Sequence, residues 1–196
     1  MAYRGGDSFT ILVVCTGNVC RSPAVERLLR GAFADVPDIR VTSAGTGALV
    51  GEPIHGPMSA LLEGINVDTS GFAARRLTPD LVRDADLVLA ATRLHRGDVV
   101  DLVPAAVRRT FTLRELARLT EQVPAADLDA AAGPDAAPAD RLAALIPLAS
   151  ARRAHVPAEQ DDVVDPYRLD EAVYRQSLDQ MLPAVRTIAR AALRLP

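Results

Sequence analysis

A short apolar run that ends in a cysteine-containing turn constrains this 196-residue chain more than any other feature. Residues Phe9 to Val14 are apolar apart from Thr10 and have the length of a buried strand. The segment from Cys15 to Pro23 reads Cys-Thr-Gly-Asn-Val-Cys-Arg-Ser-Pro. We predict a small loop at the carboxyl end of a strand, followed by a helix that begins at or just after Ser22. Such a loop can direct several backbone N–H groups at one anion, and the helix N-terminus adds positive potential.

Net charge and residue usage narrow the classes of partner. The chain has a net charge of −3 and is 49% hydrophobic and 24% charged, as is usual for a globular protein. This balance favours neither nucleic acid nor an anionic membrane, so we expect neither as a partner. All 22 basic residues are arginine. The lack of lysine excludes a P-loop lysine and a Schiff-base lysine.

Length and cysteine usage bound the domain organisation and the compartment. A chain of this length can bury a core, and we predict a single domain over 1–196. Both cysteines lie inside the loop, so they form no disulfide framework. The sequence shows no charged-then-apolar leader before the first strand and no apolar stretch of about 18 residues. These features predict a reduced, cytoplasmic protein.

Short apolar runs alternate with helical patterns along most of the chain. The predicted strands are Thr10–Val14, Arg40–Ser43, Leu87–Ala91 and Arg109–Thr112. The predicted helices are Pro23–Phe33, Pro57–Gly64, Pro79–Asp84, His95–Leu102, Leu113–Leu119 and Asp170 to about Leu193. This alternation predicts an α/β fold, a parallel sheet with helices on both faces. In such sheets ligands bind beyond the carboxyl ends of the strands, where the cysteine loop lies.

Residues from about 120 to 160 interrupt the alternation, and we interpret them as an insertion. Gln122 to about Ala139 is rich in Ala, Pro and Asp and has no clear apolar period, which predicts a poorly ordered or loosely packed segment. A helix within the insertion is expected over Arg141–Arg153. Because the insertion leads directly to Asp165, we hypothesise that it lies over the cleft. Deleting Val123–Asp135 would then affect a bulky phosphopeptide more than a small aryl phosphate.

The loop carries the residue types that phosphoryl transfer needs. Cys15, as a thiolate favoured by positive surroundings, can attack phosphorus and form a phosphocysteine. The planar guanidinium of Arg21 can hold two phosphoryl oxygens and stabilise the charge that develops on them. The hydroxyl of Ser22 can donate to the sulfur and improve it as a leaving group. Gly17 permits a tight, left-handed turn, and Asn18 tolerates the same conformation while its amide ties the loop together.

A general acid is also required, and Asp165 is the best candidate. Pro166 restricts the backbone of Asp165, so that its carboxyl group can be held at a fixed position. The same group can later take a proton from the water that hydrolyses the intermediate. The ring of Tyr167 can offer a flat face to an aromatic leaving group.

Other polar residues have no assigned chemistry. Cys20 either protects Cys15 through a reversible disulfide or fills space beneath the loop, and the sequence leaves both open. Three histidines show no metal-ligand spacing and are expected to be bystanders: His55, His95 and His155. Two arginines are expected to tie loops to nearby carboxylates, with guidance of an anionic substrate as the less favoured alternative: Arg75 and Arg93.

Together these motifs resemble the low-molecular-weight protein tyrosine phosphatases. The resemblance rests on Val14–Pro23, on the late Asp165-Pro166-Tyr167, and on three shorter matches: Ser43–Gly47, Ala74-Arg75 and Thr92-Arg93. It implies a four-stranded parallel sheet flanked by helices, no cofactor and no metal. It also implies phosphotyrosine hydrolysis with Cys15 as nucleophile, Arg21 as transition-state ligand and Asp165 as acid and base. The implied phosphate site comprises Cys15, Thr16, Gly17, Asn18, Val19, Cys20, Arg21 and Ser22. The implied partner is a tyrosine-phosphorylated protein, with a bacterial tyrosine kinase as one candidate.

Two departures from the family pattern concern the cleft. Family members often carry an aromatic residue after the Ser-Ala-Gly segment, whereas this chain has Thr46–Val50 there and no tryptophan. We therefore expect the substrate to be lined by Leu49 and Tyr167. A histidine common before the Ala-Arg pair is Phe72 here, so a hydrogen bond that steadies Asn18 is expected to be missing.

Two other functions compete with the phosphatase. An arsenate reductase of the thioredoxin-linked type needs two further cysteines, and this chain has none after Cys20. A version coupled to a small thiol survives that test, although it has no phenolate for Asp165 to protonate. A phospho-binding module without turnover is the other alternative. The joint presence of Cys15, Arg21, Ser22 and Asp165 argues against it.

Overall fold

A four-stranded, all-parallel sheet forms the centre of the structure, a computed structural model that describes residues 8–153 and 158–195. The strands are β1 (Phe9–Cys15), β2 (Ile39–Gly45), β3 (Leu87–Ala90) and β4 (Thr110–Thr112). Their order across the sheet is β2-β1-β3-β4, with Phe9 opposite Ile39 and Cys15 opposite Gly45. This confirms the α/β prediction. The last strand is shorter than predicted because Pro104–Arg109 forms a 3₁₀ helix before it.

The central strand β1 is apolar throughout because both of its faces are covered. Ile11 and Val13 belong to the larger hydrophobic cluster, whereas Leu12 and Val14 belong to a second cluster on the other side. The alternation of side chains along a strand separates these pairs. A continuous apolar run is therefore what a strand at the middle of a parallel sheet requires.

The helices lie on both faces of the sheet, as predicted. They are α1 (Arg21–Ala32), α2 (Gly56–Glu63), α3 (Pro79–Arg83), α4 (Arg93–Leu102), α5 (Leu113–Glu121), α6 (Ala125–Ala132), α7 (Pro138–Ser150), α8 (Ala158–Asp161) and α9 (Glu171–Leu193). The larger cluster receives side chains from α1, α2, α5, α7 and α9, and the smaller one from α3, α4 and the 3₁₀ helix. Among the helices of the described ranges, none is long and apolar enough to cross a membrane.

The prediction of a poorly ordered segment at Gln122–Ala139 is wrong. This stretch contains α6, and its Leu128 is buried with Val123 and Leu145 in a small cluster of its own. Arg141 on α7 is buried and donates both to the Ala191 carbonyl of α9 and to the Asp129 carboxylate of α6. These contacts fix the pair of helices against α9.

The hypothesis that the insertion covers the cleft is also wrong for its described residues. Helix α7 packs against α9, α5 and the 3₁₀ helix, and α6 packs against α7. The walls of the cleft around Cys15 include no described residue between 122 and 153. The helix expected over Arg141–Arg153 is present as α7, although it begins earlier and ends at Ser150.

Candidate active site

The loop after β1 is fixed by hydrogen bonds that its carbonyl groups accept from neighbouring segments. The carbonyls of Cys15, Thr16 and Gly17 accept from the backbone N–H groups that follow β2, at 3.0 Å each. The Val19 carbonyl accepts from the His55 N–H at 2.8 Å. Within the described part of the chain, the N–H groups of residues 16 to 20 donate to no other group. They are therefore free to donate to an anion, and the N-terminus of α1 lies directly behind them.

Asn18, and not Gly17, adopts the left-handed conformation in this loop, with φ at 54°. The prediction for Gly17 is thus wrong, while that for Asn18 is confirmed. The buried Asn18 amide donates to the hydroxyls of Ser22 and Ser43, at 2.9 Å each, and accepts from the Arg75 N–H at 2.8 Å. These bonds use both ends of the amide, which offsets the cost of its burial.

The hydrogen bond expected to be lost with Phe72 is replaced by others. Ser43 accepts from Asn18 and donates to the carboxylate of Glu26 at 2.6 Å. Arg75 does not bind a carboxylate as predicted; its side chain donates to the Ser43 carbonyl at 2.7 Å. Phe72 instead lies against the guanidinium of Arg27.

Cys15 and Ser22 are directly hydrogen-bonded, since the sulfur and the hydroxyl oxygen are 2.9 Å apart. Both residues are buried. Because the Asn18 amide already donates to the Ser22 oxygen, the Ser22 hydroxyl hydrogen is available for the sulfur. This arrangement stabilises negative charge on the sulfur.

Arg21 and Asp165 meet in the cleft although they are far apart in sequence. The Arg21 Nη2 and the Asp165 Oδ2 are 2.7 Å apart, and the Arg21 side chain is 5% exposed whereas that of Asp165 is 51% exposed. Arg21 Nη1 also donates to the Val163 carbonyl at 3.4 Å. Its Nε is buried and has no hydrogen-bond partner among the described residues. The guanidinium is therefore only partly satisfied.

The segment before Asp165 is anchored to the carboxyl ends of β3 and β4. The Val163 N–H donates to the Ala91 carbonyl at 2.9 Å, and the Thr112 hydroxyl donates to the Asp161 carbonyl at 2.8 Å. A further bond joins the Val164 N–H to the Gln180 side chain of α9. These contacts bring the acidic segment to the edge of the sheet where the loop lies.

The walls of the cleft combine polar and apolar groups. They comprise Cys15, Thr16, Gly17, Val19, Cys20, Arg21, Gly47, Leu49, Asp165 and Tyr167. Leu49, 39% exposed, and the Tyr167 ring therefore both line the cleft, in the positions predicted for them. The Tyr167 N–H donates to the Asp165 Oδ1 at 3.2 Å and closes a tight turn.

Two of the three histidines are not bystanders. The buried His95 places its Nε2 2.8 Å from the Thr16 hydroxyl and its Nδ1 2.7 Å from the Thr92 hydroxyl. Burial, followed by the charge of Arg21, lowers the pKa of His95 below its ordinary value. His55 contacts the loop through its backbone and Tyr174 through its ring. His155 lies outside the described residues. The position of His95 in the first turn of α4, shortly after the carboxyl end of β3, is the sequence signal that points to it.

Cys20 is a buried thiol that does not share the environment of Cys15. Burial, followed by the nearby Cys15 and Asp165, raises the pKa of Cys20 to about 12. The nearby hydroxyl of Tyr174 acts in the opposite direction on this pKa. Both cysteines are free, and no described cluster of His, Cys, Asp or Glu could hold a metal ion.

Comparison with known sequences points to one family. The model of the low molecular weight phosphotyrosine protein phosphatase family matches residues 10–133. The chain is 40% identical over 102 residues to the low molecular weight protein-tyrosine-phosphatase Etp of Escherichia coli K12, which covers 52% of this chain and 67% of that protein.

Comparison with solved structures shows the same fold. The tyrosine phosphatase AmsI of Erwinia amylovora matches with a TM-score of 0.66 and 24% identity, covering 97% of this chain and 98% of that one. The YwlE arginine phosphatase of Geobacillus stearothermophilus matches with a TM-score of 0.63 and 24% identity, covering 93% and 91%. Proteins named for two different phosphorylated residues thus share this architecture.

Proposed function

The chain belongs to the low molecular weight phosphotyrosine protein phosphatase family, and from that premise we propose that it hydrolyses phosphotyrosine in proteins through a phosphocysteine intermediate. Cys15 is the nucleophile, Arg21 the ligand of the transferring phosphoryl group, and Asp165 the general acid and base. A phosphorylated protein is the substrate, and a bacterial tyrosine kinase is one candidate for it.

In the first step the Cys15 sulfur attacks phosphorus, and the ester bond to the phenolic oxygen breaks as the sulfur–phosphorus bond forms. The N–H groups of the loop and the Arg21 guanidinium donate hydrogen bonds to the three equatorial oxygens of the phosphoryl group, where negative charge develops. Asp165 gives its proton to the departing phenolate.

In the second step water attacks the phosphocysteine, and the sulfur–phosphorus bond breaks. Asp165 now accepts a proton from that water. The Ser22 hydroxyl, 2.9 Å from the sulfur, donates to it as negative charge returns. Inorganic phosphate is released, and Cys15 is again a thiolate.

The ion pair between Arg21 and Asp165 carries the proposal, because it brings a carboxylate to the mouth of an anion-binding loop. A module that only holds phosphate has no need of a proton donor there. The Nε of Arg21 has no hydrogen-bond partner in the described part of the chain, and this supports the same assignment, since a buried N–H without an acceptor is costly and a phosphoryl oxygen would satisfy it.

Hydrolysis of p-nitrophenyl phosphate in the presence of EDTA tests the proposal. Wild-type enzyme should turn over, Cys15→Ser should not, and rapid acid quenching should trap phosphate on Cys15 for detection by mass spectrometry. A Cys15→Ser variant that remains active would exclude the mechanism. Arsenate reduction that depends on glutathione, without phosphatase activity, would instead support the reductase.

Substrate choice needs a separate measurement, because the fold is shared with an arginine phosphatase. Peptides that carry phosphotyrosine or phosphoarginine in the same sequence should be compared by kcat/KM. We expect preference for phosphotyrosine, since the ring of Tyr167 and the side chain of Leu49 line the cleft. A preference for phosphoarginine would leave the phosphocysteine mechanism intact and overturn the substrate assignment.

A further inference from the structure

Tyr174 lies in the first turns of α9 and is fully buried, with 0% of its surface exposed. Its hydroxyl accepts from the Arg168 N–H at 3.2 Å and lies 2.9 Å from the Nδ1 of His55. One buried oxygen therefore touches two separate segments of the cleft.

The first of these segments supports the proposed phosphate loop, residues 15–22. His55 donates its backbone N–H to the Val19 carbonyl of this loop at 2.8 Å. The His55 and Tyr174 rings are stacked, with centroids 5.8 Å apart. Tyr174 is thus fixed relative to the loop by a polar bond and by ring packing.

The second segment is the turn that carries Asp165. Arg168 has a φ of 62°, a left-handed conformation that a side chain other than glycine adopts at a cost. Its N–H has Tyr174 as its partner, so the Tyr174 hydroxyl holds the turn in this strained form. The turn also includes the bond from the Tyr167 N–H to the Asp165 carboxylate.

Asp165 needs this support because its side chain is half-exposed and its other partner is Arg21. In the proposed reaction Arg21 binds phosphoryl oxygens instead of Asp165. The backbone turn then has to orient the Asp165 carboxyl group. Burial raises the pKa of the Tyr174 hydroxyl, and that of Cys20 is raised to about 12. Both groups therefore keep their protons at neutral pH.

We propose that Tyr174 is a positioning residue for the general acid: its buried hydroxyl sets the Asp165–Arg168 turn against the phosphate loop. The proposal rests on the proposed function, in which Asp165 protonates the leaving group. It assigns Tyr174 no contact with substrate.

Leaving-group dependence tests this role, because a misplaced acid harms poor leaving groups most. The p-nitrophenolate ion leaves with little help from an acid, whereas the phenolate of tyrosine, with a pKa of about 10, needs a proton. Tyr174→Phe should lower kcat/KM for phosphotyrosine about tenfold relative to p-nitrophenyl phosphate. Asp165→Asn should lower the same ratio about 100-fold.

Two further variants complete the experiment. Leu178→Ala removes buried packing one turn along α9 and should lower stability without changing the ratio. Tyr174→Phe added to Asp165→Asn should leave the ratio of the single Asp165→Asn variant unchanged, because both act through one proton transfer.

The outcomes separate the two claims. A normal ratio in Tyr174→Phe, or an equal loss for both substrates, overturns the positioning role while Asp165→Asn still shows its effect. An unchanged ratio in Asp165→Asn instead overturns the proposed role of Asp165, and the Tyr174 inference falls with it.

Discussion

A Cβ atom on Gly45 would lie 2.3 Å from the carbonyl oxygen of Thr16, so the end of β2 and the loop after β1 touch backbone to backbone. Gly45→Ala must displace one of these segments. The added Cβ is fixed to the main chain of β2, and the Thr16 oxygen belongs to the main chain of the loop, so neither atom can move aside by itself. We expect the free energy of unfolding to fall by about 1–3 kcal/mol. The displaced loop should lower kcat/KM for p-nitrophenyl phosphate at least about tenfold.

Gly47 provides the matched control for that substitution. A Cβ on Gly47 would lie 3.6 Å from the methyl group of Thr16, an ordinary contact, and Gly47 is exposed. Gly47→Ala should therefore keep stability close to wild type and, although the residue lines the cleft, lower turnover far less than Gly45→Ala does. Urea unfolding and steady-state kinetics on both variants check this. Similar behaviour of the two alanines would show that the close approach at Gly45 is not required.

Asn18 should be costly to replace, because its amide has three buried or partly buried partners. In Asn18→Ala the Ser22 and Ser43 hydroxyls and the Arg75 N–H lose these bonds, and alanine must adopt the left-handed conformation. The expected loss is about 2–3 kcal/mol of unfolding free energy. Turnover should fall at least about tenfold, because Ser22 and the loop are no longer held.

Asn66 separates the two contributions to that loss. It also has a left-handed φ, at 61°, but its side chain is exposed and lies outside the cleft. Asn66→Ala should cost about 1 kcal/mol through its backbone conformation alone and leave kcat/KM unchanged. If Asn18→Ala lowers stability no more than Asn66→Ala, the hydrogen bonds of Asn18 contribute little.

Local features of the site are predictable from the sequence, because they depend on neighbouring residues. The strand before Cys15, the loop and the start of α1 follow one another directly, and their residue types leave few alternatives. The position of Asp165 is different. It depends on bonds from Val163 to Ala91 and from Val164 to Gln180, which no local pattern shows. Only the residues around Asp165 indicate its role.

The wrong predictions also arise where the local sequence pattern carries too little information. In helix α6, Leu128 is the one buried residue among many alanines, so the sequence shows no recognisable apolar periodicity. The role of His95 depends on its hydrogen bond with Thr16. The two residues are far apart in sequence, and only the folded structure brings them together. Left-handed geometry at Asn18 rather than Gly17 depends on the amide bonds to Ser22 and Ser43, which stabilise that conformation in a residue other than glycine.

Protonation of His95 should destabilise the protein in mildly acidic solution. Burial lowers its pKa in the folded state below the ordinary value of 6.5, so the unfolded chain binds this proton more readily. The resulting stabilisation is present above pH 6.5 and is lost as the pH falls from there to the lower folded-state pKa. Urea unfolding at several pH values checks this.

The His95→Gln variant isolates that group. Glutamine does not titrate, and its amide can still bond the Thr16 hydroxyl. The wild type should lose more stability than His95→Gln as the pH falls below 6.5. Parallel pH curves for the two proteins would show that His95 does not cause the dependence.

Removing the charge of Asp165 should affect phosphate binding and turnover in opposite directions. The carboxylate lies 2.7 Å from Arg21 Nη2, so it competes with an anion for that guanidinium and repels the anion. Since its side chain is half-exposed, the interaction is worth about 0.2–1 kcal/mol, and Asp165→Asn should tighten inhibition by inorganic phosphate by up to about fivefold. The same variant loses the proposed proton donor, so kcat/KM for phosphotyrosine should fall about 100-fold.

Asp170→Asn, an exposed change in the same segment without a capping hydrogen bond, should alter neither value. Weaker phosphate inhibition in Asp165→Asn would mean that the carboxylate holds Arg21 in place for the anion instead of competing with it.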